Sequence, residues 1–253
     1  NWKNNWFTEV GAAHKPRIFI NTYLRGGPRW RFSEENYQFV FLGSDQSKKF
    51  NFTLGFVNSL AKQHNFSLQR YVMHLNYQPT DALSISLNTE FEKNPNKTQY
   101  VSQQSFGGKE RYILGNIDQQ TLSTSLRLNY SINPNLTVQY YGQPFISRGT
   151  YTNFNYVDNP IAKNLNDRVK WYENNQITKN GSTYSIDENV NSSTDYQFSD
   201  PDFSFIQFRS NLVLRWEYIP GSEIYLVWSQ GVTGFGDPRE TLTSSLNNEI
   251  LDN

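Results

Sequence analysis

The chain has 253 residues and a balanced charge, with 23 basic and 23 acidic side chains, and it contains no cysteine. The balanced charge gives no indication of nucleic-acid binding, and the lack of cysteine excludes a disulfide framework and thiolate metal sites. Hydrophobic residues make up 36% of the chain, yet 16% are aromatic, as expected where apolar side chains occupy every second position of a strand. No run approaches the ~18 apolar residues of a membrane-spanning helix, which excludes a helical membrane protein.

The first part of the chain predicts four extended segments separated by turns. They are residues 2–10, 18–24, 29–42 and 50–56, with turns between them at 11–16, 25–28 and 43–47. Within the third segment, Trp30 and Phe32 have one parity, whereas Tyr37 and Phe39 have the other. Because side chains alternate along a strand, this change of parity predicts a β-bulge at residues 33–36.

Three hairpins then share one pattern, which is an aromatic residue, a short proline turn and an alternating strand. Their sequences are LNYQPTDALSISL (75–87), LNYSINPNLTVQY (128–140) and WEYIPGSEIYLVW (216–228). In the third hairpin, Leu212, Leu214 and Trp216 share one parity, with Arg215 on the other. The pattern predicts antiparallel strands with one apolar and one mostly polar face, repeated along the chain. About ten strands are visible.

Two sets of strand residues are predicted to have distinct environments in a membrane barrel. Aromatic residues near the ends of the apolar parity are expected at the lipid interface: Tyr77, Tyr130, Trp216, Tyr218 and Trp228. Charged residues on the polar parity are expected in the lumen: Lys49, Arg70, Glu90, Arg127, Arg215 and Glu217. Pairing of opposite charges across neighbouring strands is favoured for the second set over a selectivity ring for a solute.

The connections between strands are short at one end and long at the other. The short proline turns are predicted to be periplasmic, and the long connections at 94–110 and 147–202 to be extracellular. Residues 231–253 are expected to form a further outer loop. Because a closed barrel of this type has an even number of strands, a descending strand is expected after them. The chain is therefore predicted to be a single domain, 1–253, that is part of a larger barrel.

The segment 147–202 is rich in aromatic residues, which argues against disorder. Loops longer than ~15 residues in a compact fold are usually functional or disordered. The candidate contact residues are Tyr151, Phe154, Tyr156, Trp171, Tyr172 and Tyr184. Stacking on sugar rings, a small core of the segment itself and a contact with another protein all remain open for these side chains.

No constellation of residues predicts catalysis, a cofactor or a metal. Asp187 with Glu188, and Asp200 with Asp202, are interpreted as a solvated acidic stretch without the spacing of a calcium loop. The three histidines lie on different predicted elements, and no Gly-x-Ser-x-Gly sequence is present. We therefore expect no enzymatic activity in this chain.

An ordered series of motifs resembles a family of outer-membrane barrels of uncharacterised function from Bacteroidota. The matching residues are Arg25–Pro28, Ser44-Asp45, Lys48-Lys49, Gln99–Val101, Asp118–Leu122, Gln143–Ser147, Asp200–Phe203, Leu214–Tyr218 and Trp228–Gln230. Members of that family often carry an N-terminal domain like the family-nine carbohydrate-binding modules. No residue here matches that module, so the resemblance transfers neither a carbohydrate-binding nor a catalytic residue.

These observations predict an all-β protein, an antiparallel transmembrane β-barrel of a Gram-negative outer membrane with its long loops extracellular. The expected role is a surface scaffold or channel, in glycan handling or in a larger envelope complex. Outer-membrane lipid, other outer-membrane or surface proteins and glycan are the expected partners, without nucleic acid. The alternatives are a secreted all-β module that binds carbohydrate or protein and, less favoured, an outer-membrane barrel enzyme.

Overall fold

A computed structural model describes residues 2–242 and 244, and the elements that lie wholly within them are fifteen β-strands, one short α-helix and one 3-10 turn. The strands are β1 (Phe7–Lys15), β2 (Ile18–Ile20), β3 (Trp30–Phe32), β4 (Glu35–Gly43), β5 (Phe50–Ala61), β6 (Ser67–Thr80), β7 (Leu83–Phe106), β8 (Lys109–Asn133), β9 (Leu136–Val157), β10 (Val169–Trp171), β11 (Ile177–Asn180), β12 (Thr183–Ile186), β13 (Tyr196–Ser199), β14 (Phe203–Ile219) and β15 (Ser222–Gly234). The helix α1 covers Leu165–Arg168, and the 3-10 turn covers Lys62–His64. The prediction of an all-β antiparallel protein is confirmed. None of the described helical segments is long and apolar enough to cross a membrane.

One large antiparallel sheet dominates the fold. Nine strands follow one another in the order β1-β4-β5-β6-β7-β8-β9-β14-β15, and β10 pairs with the C-terminal end of β9. Within the described residues this sheet stays open between β1 and β15. Because each neighbour along the path of nine runs antiparallel to the last, β1 and β15 run in the same direction.

The register of the sheet places the apolar side chains of neighbouring strands on one face. Leu75 lies opposite Leu87, and Leu87 lies opposite Leu126. At the far edge, Leu214 lies opposite Leu226. The alternation seen separately in each hairpin therefore becomes a continuous apolar face across several strands, with the polar parity on the other side.

Both hydrophobic cores among the described residues lie at the long-connection end of the sheet. The first contains Ile113, Phe154, Ile186, Tyr196 and Phe198, and the second contains Leu24, Trp30, Leu114 and Val169. Ile113 and Leu114 are consecutive residues of β8, so they point to opposite faces. The two cores consequently cover opposite faces of the same end of the sheet.

Three glycines allow aromatic rings to lie on the backbone of β1, β4 and β5. A Cβ atom at Gly55 would meet Phe41 Cε1 at 2.2 Å, and one at Gly11 would meet Phe39 Cε1 at 2.4 Å. A Cβ atom at Gly43 would meet the ring of Phe7 even more closely. Each aromatic residue is the cross-strand partner of its glycine, an arrangement that helps to fix register and curvature in a sheet.

The first segments differ from the prediction. The turn expected at 11–16 is wrong, because β1 continues to Lys15 and Gly11 provides space for a ring. The bulge expected at 33–36 is a break between β3 and β4, which belong to different sheets. β2 and β3 form their own two-stranded sheet, because Leu24 and Trp30 are drawn into the second core.

The connection expected at 94–110 is also wrong. It is the continuation of β7 and β8, which reverse at Gly107 and Gly108, both with positive φ. The segment expected as a loop from residue 147 begins as β9, which extends to Val157. Of the outer loop expected at 231–253, the first residues extend β15 to Gly234, whereas residues 243 and 245–253 lie outside the described part of the chain.

We predict that Gly55→Ala lowers the free energy of unfolding by about 1–3 kcal/mol, because the new methyl group displaces the Phe41 ring. Reversible denaturant unfolding, in detergent or lipid if the protein requires it, measures this change. Gly231→Ala is the matched control, since a Cβ atom there meets no atom within 4 Å. Equal effects of the two substitutions would contradict the assigned ring contact, and Phe41→Leu should partly rescue Gly55→Ala.

Candidate functional site

Opposite charges pair across strands on the polar face of the large sheet. The Arg70 guanidinium on β6 donates to Glu92 Oε2 on β7 through Nε at 3.0 Å and Nη2 at 2.8 Å. Arg215 on β14 forms an ion pair with Glu223 on β15, and its Nη2 lies 3.9 Å from Glu217 Oε2. Glu92 and Glu223 were not among the predicted charges. Glu92 lies directly opposite Arg70 in the ladder, whereas the residue opposite Arg215 is Tyr225, and Glu223 lies diagonally from Arg215, opposite Glu217.

The other three predicted charges have different surroundings. The Arg127 guanidinium lies 5.0 Å from the centre of the Tyr141 ring on the neighbouring strand. Glu90 is an exposed residue on the same face as Arg70. Lys49 is not a strand residue, because it lies in the turn before β5, where its ammonium donates to the Pro79 carbonyl at 2.9 Å.

The five predicted interface aromatics all have exposed side chains on the apolar parity or at its end. Tyr77, Tyr130, Trp216 and Tyr218 lie near the short-turn ends of their strands. Trp228 lies midway along β15 instead, with 66% of its surface exposed. The aromatic residues at one margin of the apolar face therefore form a row, which Trp228 does not join.

A small sheet of β11, β12 and β13, here called the cap sheet, covers the polar face at the long-connection end of the large sheet. Its residues Ile186 and Phe198 share a core with Ile113 of β8. The ladder contains register shifts between Ile113 and Arg127. At each shift the extra residue lies in β7 or β9, and β8 itself stays regular. Strict alternation along β8 therefore puts Ile113 on the same face as Arg127, and the cap sheet lies over that face.

Four polar side chains, here called the Glu188 clamp, connect the cap sheet to β8. Arg111 of β8 donates to both carboxylate oxygens of Glu188, with Nη2 to Oε1 at 2.8 Å and Nε to Oε2 at 2.9 Å. The Tyr196 hydroxyl donates to Glu188 Oε2 at 2.7 Å, and it lies 2.9 Å from the Tyr172 hydroxyl. The paired geometry of guanidinium and carboxylate makes this a strong, directional contact.

The clamp sets the protonation of its own members. Burial acts to raise the pKa of the Glu188 carboxyl, but hydrogen bonds from Arg111 and Tyr196 outweigh it and hold the pKa below its ordinary 4.5. Burial, together with the contacts to Tyr172 and Glu188, raises the pKa of the Tyr196 hydroxyl above 10.0. At neutral pH, Glu188 is therefore a carboxylate that accepts and Tyr196 a hydroxyl that donates.

A sequence model of the family described as domain of unknown function (DUF5916) matches residues 2–252. The chain belongs to this family. The match agrees with the expected resemblance to an uncharacterised family, whereas the bacterial group and the membrane location stay predictions. A comparison with curated proteins found no match.

The aromatic residues of segment 147–202 mostly form a core within the DUF5916 domain. Phe154 is buried, and Tyr151, Tyr172 and Tyr184 pack against the same cluster. Tyr156 lies 5.5 Å from the Tyr172 ring and beneath the Arg111 guanidinium. Five of the six candidate residues therefore pack inside the chain, in or beside a core that the segment shares with Ile113 of β8 and Phe106 of β7. Trp171 is the exception, with 36% of its surface exposed.

The two acidic pairs expected in a solvated stretch also make polar contacts within the chain. Asp187 accepts backbone N–H bonds from Asn191 and Ser192 at 3.0 and 2.7 Å. Asp202 accepts the Tyr151 N–H at 2.6 Å, and Asp200 pairs with a lysine of β11. No group of three potential metal ligands occurs among the described residues of the DUF5916 domain.

Sequence reasoning also missed Arg168, which is fully buried beneath the second core. Its Nη1 donates to the Arg31 carbonyl at 2.5 Å, its Nη2 donates to Ser33 Oγ at 2.9 Å, and its guanidinium lies over the Trp30 ring. Burial, with a smaller effect of the nearby Arg31 charge, lowers the pKa of Arg168 to about 10. Arg168 thus ties α1 to β3, and no local sequence signal could have identified a contact between such distant segments.

We predict that acid loosens the cap sheet. The folded pKa of Glu188 lies below its unfolded value, so its stabilisation is complete above about pH 4.5 and is lost as pH falls through the folded pKa. Amide exchange of β12 and β13, corrected for intrinsic rates, should accelerate in that window. Glu188→Gln should lower the local opening free energy at neutral pH by about 1–3 kcal/mol.

The matched control for this prediction is Glu173→Gln, which changes an exposed carboxylate in the same segment. Its exchange rates should match those of the unsubstituted chain at neutral pH. Unchanged protection in Glu188→Gln would show that the clamp does not hold the cap sheet to β8.

Proposed function

We propose that the large sheet of this DUF5916 chain forms the wall of an outer-membrane β-barrel in a Gram-negative envelope. The chain acts as a surface scaffold or channel whose outer end is covered by the cap sheet, and it performs no reaction of its own. Outer-membrane lipid is the first partner, and other surface proteins or glycan meet the covered end.

The observation that carries this proposal is the uncovered apolar face of the sheet. The chain exposes 14967 Å², whereas a compact soluble protein of its 29.5 kDa exposes about 11,500 Å². Leu54, Leu126 and Leu226 are all exposed on this face. A soluble sandwich would cover such a face with a second sheet, but both cores of the described residues lie beyond one end of it.

The length of the apolar face is comparable to the apolar thickness of a bilayer. Along β9 the apolar side chains extend over about 33 Å from Leu136 to Ile146, but Ile146 is already buried at the covered end. At a strand tilt of ~40° this length spans about 25 Å, and about 20 Å if it is counted only to Pro144, against about 25 Å for the apolar band of outer-membrane barrels. The exposed aromatic row at the short-turn end corresponds to one girdle of such a band.

The topology sets a condition for closure. Because β1 and β15 run in the same direction, an antiparallel closure requires an odd number of further strands between these edges. Nine strands plus an odd number give an even total, as outer-membrane barrels of this type require. The short turns then face the periplasm and the cap sheet faces outward.

The polar face supports a lumen that is filled rather than open. Its ion pairs join neighbouring strands, and the cap sheet lies over its outer end. The carboxylates of segment 147–202 accept hydrogen bonds from the backbone or from basic side chains, which favours a structural role over acid–base catalysis. A scaffold, or a channel with a covered mouth, follows from this arrangement.

The location can be tested by fractionating the cells in which the protein is naturally produced. We expect it in the outer-membrane fraction, resistant to extraction by carbonate and released by detergent, because the apolar face requires lipid. Recovery as a folded, soluble monomer would refute the barrel and would favour a secreted all-β binding module.

A second prediction separates the two faces. Leu214→Arg places a charge on the lipid side and should cost roughly 2–4 kcal/mol in unfolding free energy. Val213→Arg, one residue away, points to the polar side and should cost clearly less. Reversible unfolding in detergent or lipid vesicles measures both changes, and equal damage from the two would contradict the assigned faces.

A further inference from the structure

A polar pocket of about 560 Å³ lies at the outer end of the sheet, between the β5–β6 connection, β7 and α1. Its lining includes Gln63, Lys97, Asn164, Asn166, Asp167 and Trp171. The volume falls within the ~300–1,000 Å³ of small-molecule sites. The proposed membrane wall and the Glu188 clamp leave this pocket without a role.

One wall of the pocket is held rigidly by the Gln63 side chain. Its Oε1 accepts the Leu165 N–H at 2.8 Å, and its Nε2 donates to Asn164 Oδ1 at 3.2 Å. Asn164 Nδ2 in turn donates to Asp167 Oδ2 at 3.0 Å. Gln63 has a φ of +66°, a left-handed conformation that is unfavourable for a residue with a side chain and is found preferentially at binding sites. The hydrogen bonds therefore orient Asp167 before any ligand arrives.

Other groups in the pocket remain available to a ligand. Within the described part of the chain, the Lys97 ammonium and the Asn166 amide make no side-chain hydrogen bond or ion pair. Asp167 uses Oδ2 in the network and keeps Oδ1 free of protein partners there. Trp171 has 36% of its surface exposed beside these groups, so the pocket combines donors, a fixed acceptor and an aromatic ring.

The chemistry of the lining narrows the class of ligand. A single lysine and a single aspartate make the lining neutral overall, which does not suit a phosphate-rich ligand that needs several cations. One carboxylate is too few for a Ca²⁺ site. Leu165 and Trp171 are its apolar side chains, too few to bury a lipid chain or an apolar peptide anchor.

We infer that this pocket binds a pyranose unit of a saccharide. A pyranose has a C–H face that can lie on the electron-rich ring of Trp171, and a rim of hydroxyls that both donate and accept. Asp167 Oδ1 accepts from a hydroxyl, while Lys97 and Asn166 donate to hydroxyl oxygens. The ring fixes the plane of the sugar, and the polar groups select its hydroxyl pattern.

Isothermal titration with maltotriose, chitotriose and trigalacturonate tests this inference on the whole chain, in the detergent or buffer that keeps it monodisperse. We expect at least one of the three to bind with Kd below about 10 mM. Trp171→Ala and Lys97→Met should each weaken that binding by about tenfold or more. Trp2→Ala and Lys109→Met, which change exposed residues outside the pocket, should leave it unchanged.

Absence of binding by all three trisaccharides up to about 10 mM, or undiminished affinity in Trp171→Ala and Lys97→Met, overturns the inference. Because the Lys97 side chain has no protein partner to lose, its variant answers the question even if Trp171→Ala fails to fold. Saccharide binding does not require a membrane, so a negative result here is distinct from failure of the barrel proposal.

Discussion

The uninterrupted antiparallel ladder from β1 to β15 is the constraint on which the rest of the structure depends. Backbone N–H and C=O groups form hydrogen bonds with the neighbouring strands, so the sheet needs no second layer to satisfy these groups. The same ladder fixes which side chains share a face, since a slip of one residue would exchange the two faces. Arg70 could then no longer meet Glu92, and Leu87 would leave the apolar side.

The ladder becomes irregular where the two cores form. Extra residues enter β7 between Asn96 and Ser102, and β9 near Asn153, whose φ is positive. Bulges of this kind re-aim side chains and increase local twist. β8 stays regular between them, so Ile113 and Leu114 support one core on each face. The long-connection end of the sheet is therefore covered on both faces. The rest of the sheet, toward the short turns, is a single layer and is here called its lower part.

This difference explains what the sequence could predict. Where one face is apolar and the other polar, as from Leu122 to Tyr130, alternation identifies the strand and its faces. At the outer end both faces are buried or bulged, so the period of two disappears and residues 94–106 look like a loop although they belong to β7. The Glu188 clamp could not be found, because Arg111 and Glu188 are separated by 77 residues and meet only through folding.

The two parts of the sheet also depend on different surroundings. The long-connection end has cores of its own, with buried Trp30 and Phe154 and the fully buried Arg168, so the protein itself covers these side chains. The lower part exposes the side chains of its apolar face. The free energy that burial of Leu126 and Leu214 contributes therefore depends on what covers them. Hydrogen bonds of the ladder hold this part in one register, but they do not bury its apolar side chains. A surrounding lipid phase would therefore stabilise the lower sheet, whereas the cap sheet and the pocket beside Trp171 are formed by the protein alone.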